Sequence, residues 1–365
     1  MRTDPQLDFL RSILLVAMTS AWAVPVTGAL AQTTVGQTDR AAAIDFRPAV
    51  EQAARLPRLH SLLVSHHGDL ILERYFNGAS ASRPANIKSV SKSIISGLVG
   101  IAIAEGYIED VEQPIGSFFP ARLGPDGDAE KSAISIEDLL TMQSGLETTS
   151  NRNYGAWVMS SNWVTFALEQ PMELEPGTEM EYSTGNTHLL SAILTAATGR
   201  STLEFARAAL AEPLGFNLAA WPQDPQGIYF GGNDMELTPR QLIAFGELYL
   251  NGGRADGRQI VPQAWVQASL IPRTESRREA GRYYGYGWWI RRMSGLSTPY
   301  AWGYGGQFIV LVPALSLVVV TTAASSPSPE RRSQRQRILD LIERGVVAQA
   351  ARALRAAAYS HSSGG

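Results

Sequence analysis

A serine and a lysine three positions apart form the first group of side chains that could do chemistry. Ser89-Val-Ser-Lys92 matches the pattern S-x-x-K, and on a helix residues three apart lie on one face, within reach of each other. A lysine without its proton can accept the serine proton, and the serine oxygen can then attack an ester or amide carbonyl. A second interpretation stays open, in which a serine-rich helix start carries a lysine that extends into solvent.

Lys92 can act as a base only if the protein lowers its pKa. The chain has three lysines, Lys88, Lys92 and Lys131, and all its other strongly basic residues are arginines, which do not give up their proton. At a pKa of about 10.4, only ~0.04% of a lysine is neutral at pH 7. Because a mostly apolar run follows at residues 94–99, we expect burial, aided by the charge of Lys88, to favour the neutral amine.

A tyrosine is the second candidate group. Tyr182 lies in Glu181-Tyr-Ser-Thr-Gly-Asn186, just before a helical pattern. At the edge of a loop, its hydroxyl can face a cleft and pass a proton between the nucleophile and the leaving group. Such a tyrosine taken alone is more often a packed core residue, so Tyr182 gains weight only in combination with Ser89 and Lys92.

The third group is a glycine-rich strand pattern, Ala301-Trp-Gly-Tyr-Gly-Gly-Gln-Phe308. Glycines in a strand mark the close approach of a ligand or a neighbouring backbone. An exposed N–H on this segment could supply half of an oxyanion hole, with the amide of Ser89 as the other half. The alternative is a bulge packed against the helix that carries Ser89.

The predicted elements place strands at both ends of the chain and helices between them. Runs of β-branched and aromatic residues bounded by turn residues predict strands at 61–65, 70–76, 284–290, 301–312 and 315–322. Helical spacing predicts helices at 41–54, 88–105, 136–142, 162–168, 187–198, 201–210, 239–250, 262–268 and 330–356. The simplest packing is an α/β (α+β) fold, with one antiparallel sheet from both termini, flanked by helices, and a mainly helical region inserted.

The N-terminus is typical of a secretory signal peptide over residues 1–31. Arg2 and Arg11 flank a short first part, an apolar run of about a dozen residues follows, and Ala29-Leu-Ala31 fits a cleavage site. A membrane anchor is the alternative, but the run is well short of the ~20 residues that span a bilayer. We therefore expect a secreted or periplasmic bacterial protein with no stable membrane anchor.

The rest of the chain is predicted to form one domain over residues 32–357. Its sheet-forming parts are about 45–100 and 280–357, and its helical region is about 101–279. Residues 358–365 are expected to be a disordered tail.

Composition excludes several classes of function. The net charge of −3, without a basic stripe, gives little attraction for nucleic acid. The chain has no cysteine, and none of its five histidines has the spacing of a metal site, so we expect no metal and no cofactor. No serine has glycine both two residues before and two after it, which argues against an α/β-hydrolase.

In this order, the three groups resemble the motifs S-x-x-K, Y-x-N and K-T-G of the serine β-lactamase and penicillin-binding superfamily. The similarity covers about residues 45–345 and is greatest to the class C-like branch of family VIII carboxylesterases and 6-aminohexanoate-dimer hydrolases. Supporting stretches lie at 136–146, 182–190, 213–216 and 237–246. The resemblance implies a β-lactamase-like fold and an acyl-enzyme on Ser89, with Lys92 and Tyr182 in proton transfer. Which of the two takes the first proton stays open.

The chain departs from these motifs in two places. Thr184 stands where Y-x-N has its asparagine, and Asn186 follows two residues later. Ala301-Trp302-Gly303 stands for K-T-G, which by resemblance assigns the oxyanion hole to the backbone N–H groups of Ser89 and Tyr304. A register slipped by two, Gly303-Tyr304-Gly305, is the alternative.

Neither register offers a lysine or histidine to pair with a substrate carboxylate. The resemblance therefore implies an esterase or amidase for small uncharged substrates rather than a β-lactamase or D,D-peptidase, unless an arginine from the helical region fills the gap. A non-catalytic binding protein on the same scaffold is a further alternative. The expected partner is a small ester or amide, and the oligomeric state is left open. The candidate substrate-binding residues are Tyr154, Trp157, Thr184, Asn186, Trp302 and Gly303. Core packing is an equal alternative for the aromatic residues Tyr154, Trp157 and Trp302.

Overall fold

The central sheet is built from the two ends of the chain, as the sequence predicts. The structure is a computed structural model that describes residues 44–123 and 127–362, so the expected signal peptide lies outside the described residues. The strands are β1 Leu59–His66, β2 Asp69–Tyr75, β3 Ala85–Asn86, β4 Glu236–Leu237, β5 Arg254–Ala255, β6 Arg258–Gln259, β7 Thr274–Glu275, β8 Tyr283–Tyr284, β9 Trp289–Met293, β10 Leu296–Gly303, β11 Gln307–Val312 and β12 Leu317–Ala323.

Eight of these strands form one antiparallel sheet in the order β2-β1-β12-β11-β10-β9-β8-β7. The predicted N-terminal hairpin is present, and its turn uses His67 (φ 52°) and Gly68 (φ 87°), as a tight turn between twisted strands requires. Pairing of β1 with β12, the second and third strands in this order, joins the N-terminal and C-terminal strands within the sheet.

Helices cover the sheet, and the part of the chain between its N-terminal and C-terminal strands is mainly helical. They are α1 Arg47–Ala54, α2 Ser91–Ala104, α3 Pro120–Leu123, α4 Ala129–Ser132, α5 Ile136–Thr141, α6 Tyr154–Met159, α7 Trp163–Leu168, α8 Thr184–Thr198, α9 Thr202–Ala206, α10 Pro239–Leu250, α11 Gln263–Ser269, α12 Arg331–Asp340 and α13 Ala348–Ser362. Helix α10 has the predicted bounds because Thr238 and Gln241 cap its start reciprocally. None of the helices among the described residues is long and apolar enough to cross a membrane.

Several expected elements differ from the structure, and three of the differences lie in the C-terminal part of the chain. The predicted strand 301–312 is two strands, because Gly305 (φ 94°) and Gly306 (φ 115°) form a turn that only glycine adopts readily. The predicted strand 284–290 is also divided, at a loop containing Gly287 (φ 77°). The single helix predicted over 330–356 contains a π-helical stretch at Leu341–Val347 and continues to Ser362, beyond the expected boundary of the domain.

The sheet separates two hydrophobic cores. Successive side chains of a strand point to opposite faces, and on β1 the fully buried Leu62 and Leu63 accordingly belong to different cores. One core packs the sheet against α2, α8 and α10, while the other packs it against α1 and the C-terminal helices. The first of these cores holds the helix that begins beside Ser89.

Candidate active site

Ser89 lies in a tight helical turn just before α2. Residues Lys88–Val90 form a 3-10 turn, so the helix predicted from Lys88 begins as an α-helix only at Ser91. Lys88 has a φ of 52°, a costly conformation for a residue with a side chain. Its N–H donates to the Asn86 side chain, and its ammonium pairs with Asp234 at 2.6 Å. These contacts hold the backbone that presents Ser89.

The amine of Lys92 is buried and bonded on three sides. The residue is 1% exposed, and its Nζ lies 3.3 Å from Ser89 Oγ, 3.2 Å from Thr184 Oγ1 and 2.6 Å from the carbonyl oxygen of Gly232. The interpretation in which Lys92 extends into solvent is therefore wrong. A neutral amine has two N–H donors and one lone pair, so these partners suit a lysine that donates to Thr184 and Gly232 and accepts from Ser89.

Burial lowers the pKa of Lys92 to about 7, whereas the carboxylate of Asp234 acts in the opposite direction and raises it. A desolvated ammonium is disfavoured relative to the neutral amine. Lys88, whose ammonium pairs with Asp234, does not contribute the expected help. Near neutral pH, Lys92 therefore has a substantial neutral fraction.

Tyr182 lies across the site from Lys92, half-buried at the start of α8. Its ring stacks on Trp289 with centroids 5.5 Å apart, and Lys92 Nζ lies 5.2 Å from the centre of the Tyr182 ring. Desolvation of the phenolate raises the pKa of Tyr182 to about 12, although the side chain of Ser89 lowers it in part. Tyr182 therefore carries its proton at neutral pH and is available as a donor.

A cavity of about 740 Å³ opens in front of Ser89. The candidate residues that line it are Ser89, Tyr154, Tyr182, Thr184, Trp302 and Tyr304. Thr184 also connects the cavity to the lysine, since its hydroxyl lies 2.9 Å from the hydroxyl of Ser150 as well as 3.2 Å from Lys92 Nζ. Thr184, at the position where the motif Y-x-N has its asparagine, therefore contacts the lysine directly.

Three candidate substrate-binding residues do not line the cavity. Trp157 is fully buried in the core and donates to the carbonyl oxygen of Trp163. Asn186 is buried in the first turn of α8, where its side-chain oxygen accepts a hydrogen bond from Ser144. Gly303 packs against backbone, because a Cβ at this position would lie 2.2 Å from the carbonyl oxygen of Ile87.

That close contact brings β10 against the turn that carries Ser89. Gly303 therefore agrees with the alternative of the sequence analysis, in which the glycine-rich segment packs against the residues around Ser89. The next residue, Tyr304, lines the cavity. In the slipped register, the oxyanion donor would be the N–H of Gly306. That N–H already donates to the carbonyl oxygen of Gly303 at 3.2 Å. The geometry therefore favours the register in which the amide of Tyr304 is the donor.

The sequence analysis missed the charged residues of the cavity wall, which are Lys88, Glu181, Arg277, Arg278, Glu279, Arg282 and Arg335. Arg282 pairs with Glu279 at 2.8 Å, and its guanidinium lies 3.6 Å from the centre of the Trp289 ring. The guanidinium of Arg335 lies 5.0 Å from the centre of the Trp302 ring. The sequence analysis left open that an arginine from the helical region fills the place of the missing lysine, and Arg277 and Arg278 of that region line the cavity together with Arg282 and Arg335. The sequence did not place Arg335 on the cavity wall, because an arginine-rich helix is typical of a solvent-exposed face.

The described residues contain no group of three side chains that could hold a metal ion. The site brings together a serine, a buried amine, a protonated phenol and backbone N–H groups. Such a set can form and hydrolyse an acyl-enzyme.

Comparisons with known proteins also indicate a hydrolase related to the beta-lactamases. The family model described as Beta-lactamase matches residues 60–343. A 6-aminohexanoate-dimer hydrolase of Paenarthrobacter ureafaciens is 26% identical over 318 residues, which span 78% of this chain and 77% of that protein. Among solved structures, a putative 6-aminohexanoate-dimer hydrolase from Bacillus anthracis is 21% identical with a TM-score of 0.66, covering 79% of both chains. EstCE1, a hydrolase with promiscuous acyltransferase activity, is 18% identical with a TM-score of 0.63, covering 82% of this chain and 99% of its own.

Proposed function

The chain belongs to the beta-lactamase family and is a hydrolase of amide or ester bonds, and from that premise we propose that Ser89 cleaves small substrates through an acyl-enzyme. The observation that carries the proposal is the contact of 3.3 Å between Ser89 Oγ and the buried Nζ of Lys92. Burial brings the pKa of this amine to about 7, which matches the demand on a base that works near neutral pH.

In the first step, Ser89 gives its proton to Lys92 Nζ, and its oxygen forms a bond to the substrate carbonyl carbon. The carbonyl oxygen takes the electron pair and accepts hydrogen bonds from the N–H groups of Ser89 and Tyr304. Lys92 takes the first proton in this scheme because Tyr182, with a pKa of about 12, holds its own.

Collapse of this intermediate breaks the bond to the leaving group. The leaving oxygen or nitrogen takes the hydroxyl proton of Tyr182, and the ammonium of Lys92 returns a proton to the tyrosine oxygen. A water molecule then gives a proton to Lys92 Nζ as its oxygen bonds to the acyl carbon; the bond between that carbon and Ser89 Oγ breaks, Lys92 returns the proton to Ser89 Oγ, and the acid is released. Ser91 is a poorer nucleophile because it is buried and donates to the carbonyl oxygen of Lys88 at 2.7 Å.

The cavity suits a small substrate and adds positive charge around it. Its aromatic side chains suit an apolar acyl or leaving group, while Arg282 and Arg335 supply guanidinium groups. A substrate carboxylate beside these arginines would gain charge-assisted hydrogen bonds. We therefore infer that substrates with a carboxylate are accepted together with uncharged ones, whereas the sequence analysis favoured uncharged substrates.

Export completes the proposal. The residues up to Ala31 are proposed to act as a cleaved signal, which gives one mature domain in the periplasm or outside the cell.

A hydrolysis screen tests the proposed function against its alternatives. The substrates are p-nitrophenyl butyrate, nitrocefin and a short linear amide, each tested with the parent chain, Ser89→Ala and the control Ser297→Ala, whose serine is exposed on β10. We expect ester or amide hydrolysis that is lost in Ser89→Ala and kept in Ser297→Ala. Nitrocefin as the best substrate would favour a β-lactamase, and no turnover at all would favour a binding protein.

A further inference from the structure

A buried histidine and aspartate form a second polar group behind the cavity. The side chains of His188 and Asp224 are both 0% exposed, and His188 Nε2 lies 3.1 Å from Asp224 Oδ2. The imidazole is enclosed by the rings of Trp157, Trp163 and Phe230. Burying such groups in an aromatic core is costly unless they are hydrogen-bonded. Neither side chain lines the cavity, so substrate contact does not explain them.

The hydrogen bonds of the pair determine where the imidazole carries its proton. The N–H of Gly231 points at His188 Nδ1, at a distance of 3.4 Å, so Nδ1 must offer a lone pair. The ring proton is then on Nε2, which donates to Asp224. The other oxygen of this carboxylate accepts from the N–H groups of Gln226 and Ile228, at 2.8 and 2.9 Å. Asp224 thus fixes the tautomer in which His188 can accept from Gly231.

The same segment holds the amine of Lys92. Gly232, which follows Gly231, accepts the shortest hydrogen bond of Lys92 Nζ, at 2.6 Å. A Cβ on Gly231 would lie 2.0 Å from the carbonyl oxygen of Thr187, and a Cβ on Gly232 would lie 2.8 Å from Lys92 Nζ. Both positions therefore require glycine. Because the segment has no side chains of its own, its position depends on neighbouring groups.

We propose that His188 and Asp224 are positioning residues for the reaction, acting through Gly231 and Gly232 on Lys92. The chain of contacts runs from Asp224 to His188, to the Gly231 N–H, and through one peptide to the carbonyl oxygen that accepts from Lys92. The carbonyl oxygen of Gly232 accepts a hydrogen bond from one N–H of the Lys92 amine. The lone pair of the amine nitrogen is thereby directed toward Ser89. The inference rests on the proposed function, in which Lys92 is the base.

Asp224→Asn is the most direct test. The asparagine oxygen must stay with the N–H groups of Gln226 and Ile228, so its NH2 group faces His188 Nε2. The imidazole proton then moves to Nδ1, where it opposes the N–H of Gly231. We expect kcat for p-nitrophenyl butyrate to fall ~10- to 100-fold, as for a misplaced catalytic group, while KM stays within about twofold because substrate binding is untouched.

Two amide replacements of His188 form a matched pair. In His188→Asn, the side-chain oxygen takes the place of Nδ1 and can still accept from Gly231, whereas in His188→Gln the amide nitrogen takes the place of Nε2 and bonds only Asp224. Both remove the ring from the same aromatic site. We expect His188→Asn to retain kcat within about threefold and His188→Gln to lose at least about tenfold.

The result that overturns the inference is a folded Asp224→Asn with parental kcat, or an equal loss in the two His188 variants. If these variants do not fold, the ¹⁵N shifts of His188 in the parent chain decide, since a proton on Nδ1 contradicts the proposal and a proton on Nε2 supports it. Ser89→Ala is assayed in parallel. Hydrolysis that survives in Ser89→Ala refutes the proposed function itself, whereas parental kcat in Asp224→Asn with an inactive Ser89→Ala refutes only the positioning role.

Discussion

Lowering the pH is expected to remove activity in step with protonation of Lys92. Burial lowers the pKa of this amine to about 7, and only the neutral amine can accept the proton of Ser89. Activity is therefore present above pH 7 and lost as the pH falls below it. With this pKa, about half of the amine is neutral at pH 7 and ~1% at pH 5. We expect kcat/KM at pH 5 to be about 100-fold below its plateau near pH 9.

The assay measures kcat/KM for an uncharged ester, because this parameter reports ionisations of the free enzyme and substrate and the ester contributes none. Hydrolysis of p-nitrophenyl butyrate is followed at the isosbestic wavelength of the product, so that its own titration does not distort the profile. Lys92→Arg is the companion variant, because it keeps the positive charge but cannot accept a proton. It is expected to lose at least ~100-fold at the plateau.

Two results would refute this account of Lys92. A profile that keeps rising to pH 11 would point to Tyr182 as the first base, because its pKa of about 12 leaves little phenolate at lower pH. Near-parental turnover in Lys92→Arg would show that proton acceptance at this position is dispensable.

Three further outcomes are expected. Intact-mass analysis of the exported protein should give a mature chain that begins at Gln32, and an uncleaved Met1 or Arg2 terminus would contradict this. Arg335→Gln should lower kcat/KM at least about fivefold more for a carboxylate-bearing ester, such as mono-p-nitrophenyl glutarate, than for p-nitrophenyl butyrate. The reason is that a hydrogen bond to a charged group contributes about 1.5–3 kcal/mol. Equal effects on both esters would contradict this prediction. Lys92→Met should stabilise the fold by about 1–3 kcal/mol at pH 6 and by less at pH 9.5. Because the pKa of Lys92 in the folded chain, about 7, lies below the ordinary 10.5, the parent chain gains stability as the pH rises between these values. Urea unfolding measures the free energy of unfolding of both chains, and a difference between them that does not change with pH would contradict the prediction.

Local pattern accounts for the parts of the fold that the sequence predicted. The N-terminal hairpin and helix α10 follow from short-range periodicity, turn residues and caps, whereas the pairing of strands from both ends was inferred as the simplest packing of strands at the termini with helices between them. The division of residues 301–312 into two strands was missed because the local sequence does not distinguish a glycine-rich strand from a glycine turn. The φ angles of Gly305 and Gly306, at 94° and 115°, depend on how β10 and β11 pair.

The site was only partly predictable, because its partners come from distant parts of the chain. Ser89 and Lys92 share one helical turn, so their spacing is visible in the sequence. The carbonyl of Gly232 lies 140 residues from Lys92, and Asp224 lies 36 residues from His188. Contacts of this kind depend on tertiary packing, which also decides that Trp157 is in the core and Arg335 on the cavity wall.

Covalent labelling tests the central claim most directly, because only an activated serine reacts readily with a fluorophosphonate probe. The parent chain, Ser89→Ala and the exposed-site control Ser297→Ala are incubated with the probe, and the adduct is assigned to a residue by tandem mass spectrometry, because Ser89 and Ser91 lie on the same peptide. We predict one adduct on the peptide that contains Ser89, equal labelling of Ser297→Ala, and none of Ser89→Ala. Labelling of Ser89→Ala at the parental rate, or an adduct mapped to Ser91, would contradict the assignment of Ser89 as the nucleophile.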